Sequence, residues 1–331
     1  MGRLPPRIAI PPLLSPAAFA GRDARGRIVD LGGPTMGTSW SARIVSPPAR
    51  RAARIAALLG ELVAEMSNWE PESAISRFNR AAPESWHALP SGFFTVLEAA
   101  LALAMESGGA FDPTLGALAD LWGFGPAPFS GVPDAAAIAA RPAGLWRDIR
   151  LDPPARRALQ PGGAVLDFSG IAKGHAVDRV ADLARAEGCR HFLIEIGGEL
   201  RGEGIKPDGQ PWWVDLEAPP GAGEAPSLRI ALHQICAATS GDYRRFFEQD
   251  GRRFAHSLDP RTGAPVAGAA ASVTVLHESC MMADALATAI TVLGAETGMA
   301  FATARGLAVR IITRESGGFV EQLSPALGAM L

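Results

Sequence analysis

A chain of 331 residues, 48% of them hydrophobic and 20% charged, has ample material for a sizeable globular core. Its net charge of -3, with no long blocks of Lys or Arg, removes the electrostatic footprint expected of a nucleic-acid binder, and no DNA- or RNA-binding motif is visible. Three scattered cysteines, Cys189, Cys236 and Cys280, form no CxxC pair, which argues against a zinc knuckle or a disulfide framework, and no apolar run reaches the roughly 20 residues of a transmembrane helix.

Residues 1–30 are rich in Pro, Ala and Arg and read as an irregular N-terminal arm. Ala18-Phe19-Ala20 resembles a cleavage site behind an apolar run, but Pro11, Pro12 and Pro16 interrupt that run, so a weak leader and a packed arm both stay open. A cytoplasmic location is the expectation, with export as its alternative. Residues 31–331 show no biased linker and read as one domain. "MGTSWSARIV" (36–45) alternates as a strand; "PPARRAARIAALLGELVAEMS" (47–67) and "SGFFTVLEAALALAMESGG" (91–109) read as helices. "DPPARRALQPGGAVLDFSG" predicts a hairpin turning at Pro161-Gly162-Gly163 into a strand "AVLDF". A helix over 170–188 stops at Gly188, "HFLIEIGGELRGEG" reads as a strand and glycine-rich turn, and further strands, two helices ("CMMADALATAITVLG" and "ETGMAFATARG") and two final strands follow. Strands and helices mix without a βαβ period, which indicates an α+β fold rather than a doubly wound one.

There is no phosphate-binding P-loop, no G-x-G-x-x-G after a strand, no H-E-x-x-H and no G-x-S-x-G. The chemistry is carried elsewhere. In "MMADALATAI" (281–290), Asp284 and Thr288 lie one turn apart on one face of an apolar helix, where a lone carboxylate is costly unless paired or bound to a cation. Hard oxygen ligands at i and i+4 suit Mg²⁺; an acid satisfied by an arginine is the alternative. In "LDFSGIAKGHAVD" (166–178), Lys173 stands in the first turn of a helix, against the dipole, which suggests an anion there; a solvated lysine is the alternative. "GGAFDPTLGALADLWGFG" (108–125) reads as a stiff loop able to approach a planar ligand, or as a structural turn. His256 in "AHSLDPRTGAP" gains weight only if other site groups converge on it, and Trp69 either stacks on a flat ring or packs in the core. "DPRTGAP" (259–265) is read as a type I or II turn next to His256.

The order of these blocks is more specific than any one of them. With "PTMGTSW", "MSNWEPESAISRFN", "GGAFDPTLGALADLWGFG", "DFSGIAKGHAVD", "IGGELRGEG", "ATSGDYRR", "HSLDPRTGAP" and "ADALATAI" in sequence from about residue 33 to about 314, the chain resembles the ApbE family of FAD:protein FMN transferases, or flavin transferases. The resemblance implies a single domain of mixed sheets flanked by helices, with an FAD and Mg²⁺ site in a cleft. It implies transfer of the FMN half of FAD onto a Ser or Thr of an acceptor protein that carries an Asp-Gly-x-Thr-Gly-Ala-Thr-like motif, with release of AMP. Residue by residue, Met36, Trp69, Ala110, Phe111, Asp112, Asp167, Lys173 and Ser257 match FAD-contacting positions. Asp284, Thr288 and the Gly170 carbonyl match the metal ligands, and His256 the general base. Two positions depart from the pattern: Trp69 replaces a usual tyrosine, and Ala74 stands where an acid is common. A Mg²⁺-dependent FAD pyrophosphatase and a non-enzymatic FAD-binding protein are the alternatives.

Overall fold

In Thr38–Val45 the side chains of Trp40, Ala42 and Ile44 alternate inward, whereas Ala270–His277 is buried along nearly its whole length; both belong to the largest element of the chain, an eight-stranded sheet. The computed structural model describes residues 6–222, 227–267, 270–316 and 318–331. The sheet runs Gly318–Leu323, Ala308–Glu315, Ala270–His277, Ile235–Gly241, Glu199–Glu203, Phe192–Ile196, Thr38–Val45, Ile28–Thr35, and every neighbouring pair is antiparallel. The α+β expectation holds. The chain divides into two units: Met1–Leu59 with Lys173–Gly241 and Ala269–Leu331, and Gly60–Ala172 with Asp242–Gly268.

The first unit contains the large sheet. The Cys280–Leu293 helix packs on its Ile235–Gly241 and Ala270–His277 strands, and its alanines at 283, 285, 287 and 289 are all buried. The segment read as an irregular arm contributes more than expected. Arg7–Ala9 pairs parallel with Leu228–Leu232, Ala9 joins a core with Trp212, Ile230 and Leu327, and Arg7 forms an ion pair with Glu321. The Ile28–Thr35 strand was missed because its Gly-Gly-Pro end carries turn residues; pairing with Thr38–Val45 along its whole length overrides that local signal. "HFLIEIGGELRGEG" is two strands, Phe192–Ile196 and Glu199–Glu203, around Gly197-Gly198.

In the second unit the predicted hairpin is corrected. Its strands are Arg150–Asp152 and Arg157–Gln160, with Ser85–Ala88 on the other side. "AVLDF" is not a strand and makes one bridge, Val165 to Leu115, because the Asn79 side chain takes the Leu166 N–H (2.7 Å) that a ladder would use. The 108–125 loop includes a short helix, Gly116–Leu121. Phe78, Phe93 and Phe168 form edge-on aromatic contacts in this unit's core. Ala74, where the family often has an acid, is the buried first residue of the Ala74–Asn79 helix, which Ser73 caps through its bond from Ser76 N.

His175, on the Ala172–Ala186 helix, is buried, and its Nε2 has no hydrogen-bond partner among the described residues. Burial, reinforced by Arg179, pushes its pKa down to about 4 from 6.5. Between those values the unfolded chain binds a proton that the folded chain refuses, so stability falls as pH drops from about 6.5 to about 4, by up to about 3 kcal/mol. Thermal melts at pH 7 and pH 4.5 should therefore show a smaller acid-induced loss of Tm in His175→Gln than in the parent. Equal losses would show that the histidine does not control this window.

Candidate functional site

The first unit gathers four chemically active side chains around two helix starts and one strand. Asp284 is 4% exposed; its Oδ2 accepts from the Gly174 N–H (3.0 Å) and its Oδ1 lies 3.5 Å from Lys173 Nζ. Lys173 also pairs with Glu199 Oε1 at 2.8 Å, and Glu199 is 1% exposed. Burial alone would lower the lysine's pKa, but Asp284 and Glu199 outweigh it and hold the ammonium protonated well above its ordinary range. Thr288 is on the same helix one turn past Asp284, and its Oγ1 is 3.3 Å from Ser240 Oγ. Asp284 is a buried acid on an apolar helix, one turn before Thr288, with a lysine rather than an arginine beside it.

Sequence placed these groups, but packing makes them converge. Asp178 ties the two helices together by accepting from Cys280 N (3.0 Å), Met281 N (3.0 Å) and Ser279 Oγ (2.9 Å). A carboxylate at a helix N-terminus also opposes the dipole favourably. Gly174 allows the approach: a Cβ there would lie 2.6 Å from the Cys280 carbonyl carbon and 2.8 Å from Met281 Cα. Met36 sits in the two-residue loop joining Ile28–Thr35 to Thr38–Val45, at φ 48°, with Gly37 at φ 70°. Such a loop favours Asn-Gly, so a methionine there is strained.

These groups suit a hard divalent cation. One carboxylate and a hydroxyl on one face are oxygen donors of the kind Mg²⁺ takes. Among the described residues no group of three or more His, Cys, Asp or Glu is placed to hold a metal.

The second unit holds the aromatic and acid–base candidates. Trp69 is 48% exposed rather than packed in the core, with the Arg245 guanidinium 5.4 Å from its ring centroid. It borders a cavity of about 240 Å³ lined also by Asn68, Asn79, Arg80, Asp120 and Asp167. Asp167 Oδ1 accepts from Ser169 N (2.8 Å) and Ser169 Oγ (2.6 Å), which fixes the turn containing Gly170. Burial, reinforced by Asp167, holds the Asp120 carboxyl above its ordinary value against the bond from Ala127 N. Two carboxylates repel phosphate but accept from hydroxyls and ring N–H groups, so this pocket suits a sugar or heterocycle.

His256 Nδ1 is 3.1 Å from the Arg245 carbonyl. A carbonyl only accepts, so Nδ1 carries the proton of the neutral ring and Nε2 carries the lone pair. Ser257 follows it, its carbonyl taking the Val266 N–H at 2.8 Å. Ala110 and Phe111 are buried. The Asp112 carboxylate is engaged within the protein, accepting from Thr114 N (2.8 Å) and Thr114 Oγ1 (2.5 Å) in its own loop and from Gly144 N (2.6 Å). The 259–263 turn is held by Thr262 N and Gly263 N bonding to Asp259 O, and Gly263 O accepts from Trp122 Nε1 (2.8 Å). Sequence reasoning missed Glu199, Ser240, Asp120 and Arg245. Only Glu199 had a local signal, an acid directly after the Gly197-Gly198 turn.

No helix among the described residues is long and apolar enough to cross a membrane. Residues 36–311 match the sequence model of the ApbE family. The FAD:protein FMN transferase of Vibrio cholerae is 37% identical over 96% of this chain and 97% of its own length, and that of Haemophilus influenzae 36% identical over 91% and 90%. The crystal structure of Pseudomonas stutzeri flavinyl transferase ApbE, in its apo form, superimposes with a TM-score of 0.85 at 37% identity, covering 92% of this chain and 97% of that one. By sequence along nearly its whole length and by fold, this chain belongs to the ApbE family.

Proposed function

We propose that this protein transfers the FMN half of FAD onto a serine or threonine hydroxyl of an acceptor protein, with Mg²⁺ as cofactor and AMP as second product. The observation that carries the reading is the buried Asp284 carboxylate with Thr288 one turn away and Lys173 beside it, in a chain of the ApbE family. Asp284 and Thr288 would hold the Mg²⁺, which when bound neutralises charge building on the diphosphate oxygens. Lys173 binds the diphosphate as a second positive charge. Trp69, as an exposed aromatic face, stacks on the isoalloxazine, and Asp167 accepts from the donor's hydroxyl or N–H groups. Met36, Ala110, Phe111, Asp112 and Ser257 complete the donor contacts. His256, fixed by Arg245 O as the Nδ1–H tautomer, takes the acceptor hydroxyl proton at Nε2. The acceptor carries an Asp-Gly-x-Thr-Gly-Ala-Thr-like segment.

The test is an incubation of the protein with FAD, Mg²⁺ and a test protein bearing that segment, with EDTA as control. Intact mass and free nucleotides are then read. A Mg²⁺-dependent FMN adduct with equimolar AMP is expected, and His256→Ala should slow it by roughly 10²- to 10⁴-fold while FAD binding is retained. FMN and AMP without an adduct would favour hydrolysis; unchanged FAD would leave a binding protein.

A further inference from the structure

Glu199 has no role in the reading above, yet it is among the most deeply buried charges of the first unit. It opens the Glu199–Glu203 strand directly after the Gly197-Gly198 turn and reaches Lys173 Nζ at 2.8 Å, whereas Asp284 is 3.5 Å from the same nitrogen. The turn lies against the lysine. Gly197 has φ 60°, and a Cβ there would sit 3.0 Å from Thr38 Cγ2 and 3.2 Å from Lys173 Cδ. Two buried carboxylates and one ammonium leave a single negative charge. A lysine whose only task was to meet a diphosphate would need no buried glutamate beside it, since removing a carboxylate from water is costly unless a cation compensates it.

We propose that Glu199 is a positioning residue: it keeps Lys173 as a resident cation beside Asp284, and Mg²⁺ reaches Asp284 only as Lys173 moves wholly onto Glu199. The inference rests on the assignment of Asp284 as a metal ligand. In the metal-free protein Lys173 shares its charge between the two acids. A dication at Asp284 repels the ammonium, and Glu199 gives it a place 2.8 Å away where a buried charge remains satisfied.

The experiment is a double-mutant cycle read by calorimetric titration of the metal-free protein with Mg²⁺ alone, without FAD. Lys173→Met should bind Mg²⁺ roughly 5- to 150-fold more tightly than the parent, the usual span of coupling between sites. Glu199→Gln, which leaves Lys173 only Asp284 as a partner, should bind it more weakly than the parent. In the Lys173→Met background the Glu199→Gln change should have almost no effect, because Glu199 acts through the lysine. Equal weakening by Glu199→Gln in both backgrounds would mean that it contributes bulk charge only, and would overturn the inference. Lys173→Met removes the cation beside a buried Glu199 and lowers Tm, whereas the double variant removes that carboxylate's charge as well. If the single variant does not fold, tighter Mg²⁺ binding by the double variant than by Glu199→Gln supports the proposal, and equal binding sinks it. Asp284→Ala separates the two readings. If it binds Mg²⁺ like the parent, the metal assignment fails and takes this inference with it. If it loses Mg²⁺ while the cycle is additive, only the inference fails.

Discussion

Asp284→Ala should reduce Mg²⁺-dependent AMP release by about 10³-fold or more. A bound metal supplies several kcal/mol to a transition state of this kind, and each 1.36 kcal/mol is a factor of ten. Thr288 cannot hold Mg²⁺ unaided, since it carries no charge. The substitution also leaves the Gly174 N–H without its acceptor, which costs about 1–3 kcal/mol for a buried donor. Asp284→Asn separates the two effects. Its amide oxygen can still accept from Gly174, so Tm should recover most of the loss, while activity should not. Chromatographic assay of AMP with and without EDTA decides the matter: Mg²⁺-dependent release that persists in Asp284→Ala would remove the metal assignment.

Gly174→Ala is expected to be strongly disruptive for a single-methyl change. Glycine within a helix ordinarily costs stability relative to alanine, by about 0.5–1 kcal/mol, so a surface glycine should improve on substitution. Position 174 is different because the atoms that a Cβ would meet, the Cys280 carbonyl group and Met281 Cα, are backbone and cannot rotate away. The two helices must separate, at about 3 kcal/mol, near the upper end of overpacking costs. Separation also breaks the bond from Gly174 N to Asp284 Oδ2 and moves the carboxylate away from Lys173. Gly60→Ala is the control. That glycine lies mid-helix in Arg51–Met66, and a Cβ there meets nothing within 4 Å. Thermal melts should show Tm falling by several degrees in Gly174→Ala and rising slightly in Gly60→Ala; a Gly174→Ala protein as stable as the parent would refute the close-packing account.

Much of the site was legible in the sequence because its signals are local. Asp284 and Thr288 are one helical turn apart, and that spacing alone puts both on one face. An acid in a run of alanines and a lysine in a first helical turn each contradict the local preference, and such contradictions mark functional positions. The α+β class followed from the irregular mixture of strands and helices. Where the local reading failed, a long-range partner was responsible. "AVLDF" has a strand's composition, but Asn79, distant in sequence, takes its backbone N–H, and Ile28–Thr35 is a strand only because Thr38–Val45 pairs with all of it.

What sequence determined by itself was therefore the set of candidate groups and their spacing along single elements. What tertiary structure decided was charge balance. Glu199 is 85 residues before Asp284 and 26 after Lys173, and no periodicity links the three. They meet because Gly174 lets two helices touch and the Gly197-Gly198 turn directs a strand's first side chain at the lysine. A buried charge is tolerated only with a partner within a few ångströms, and distances of that kind are fixed by packing rather than by position in the chain.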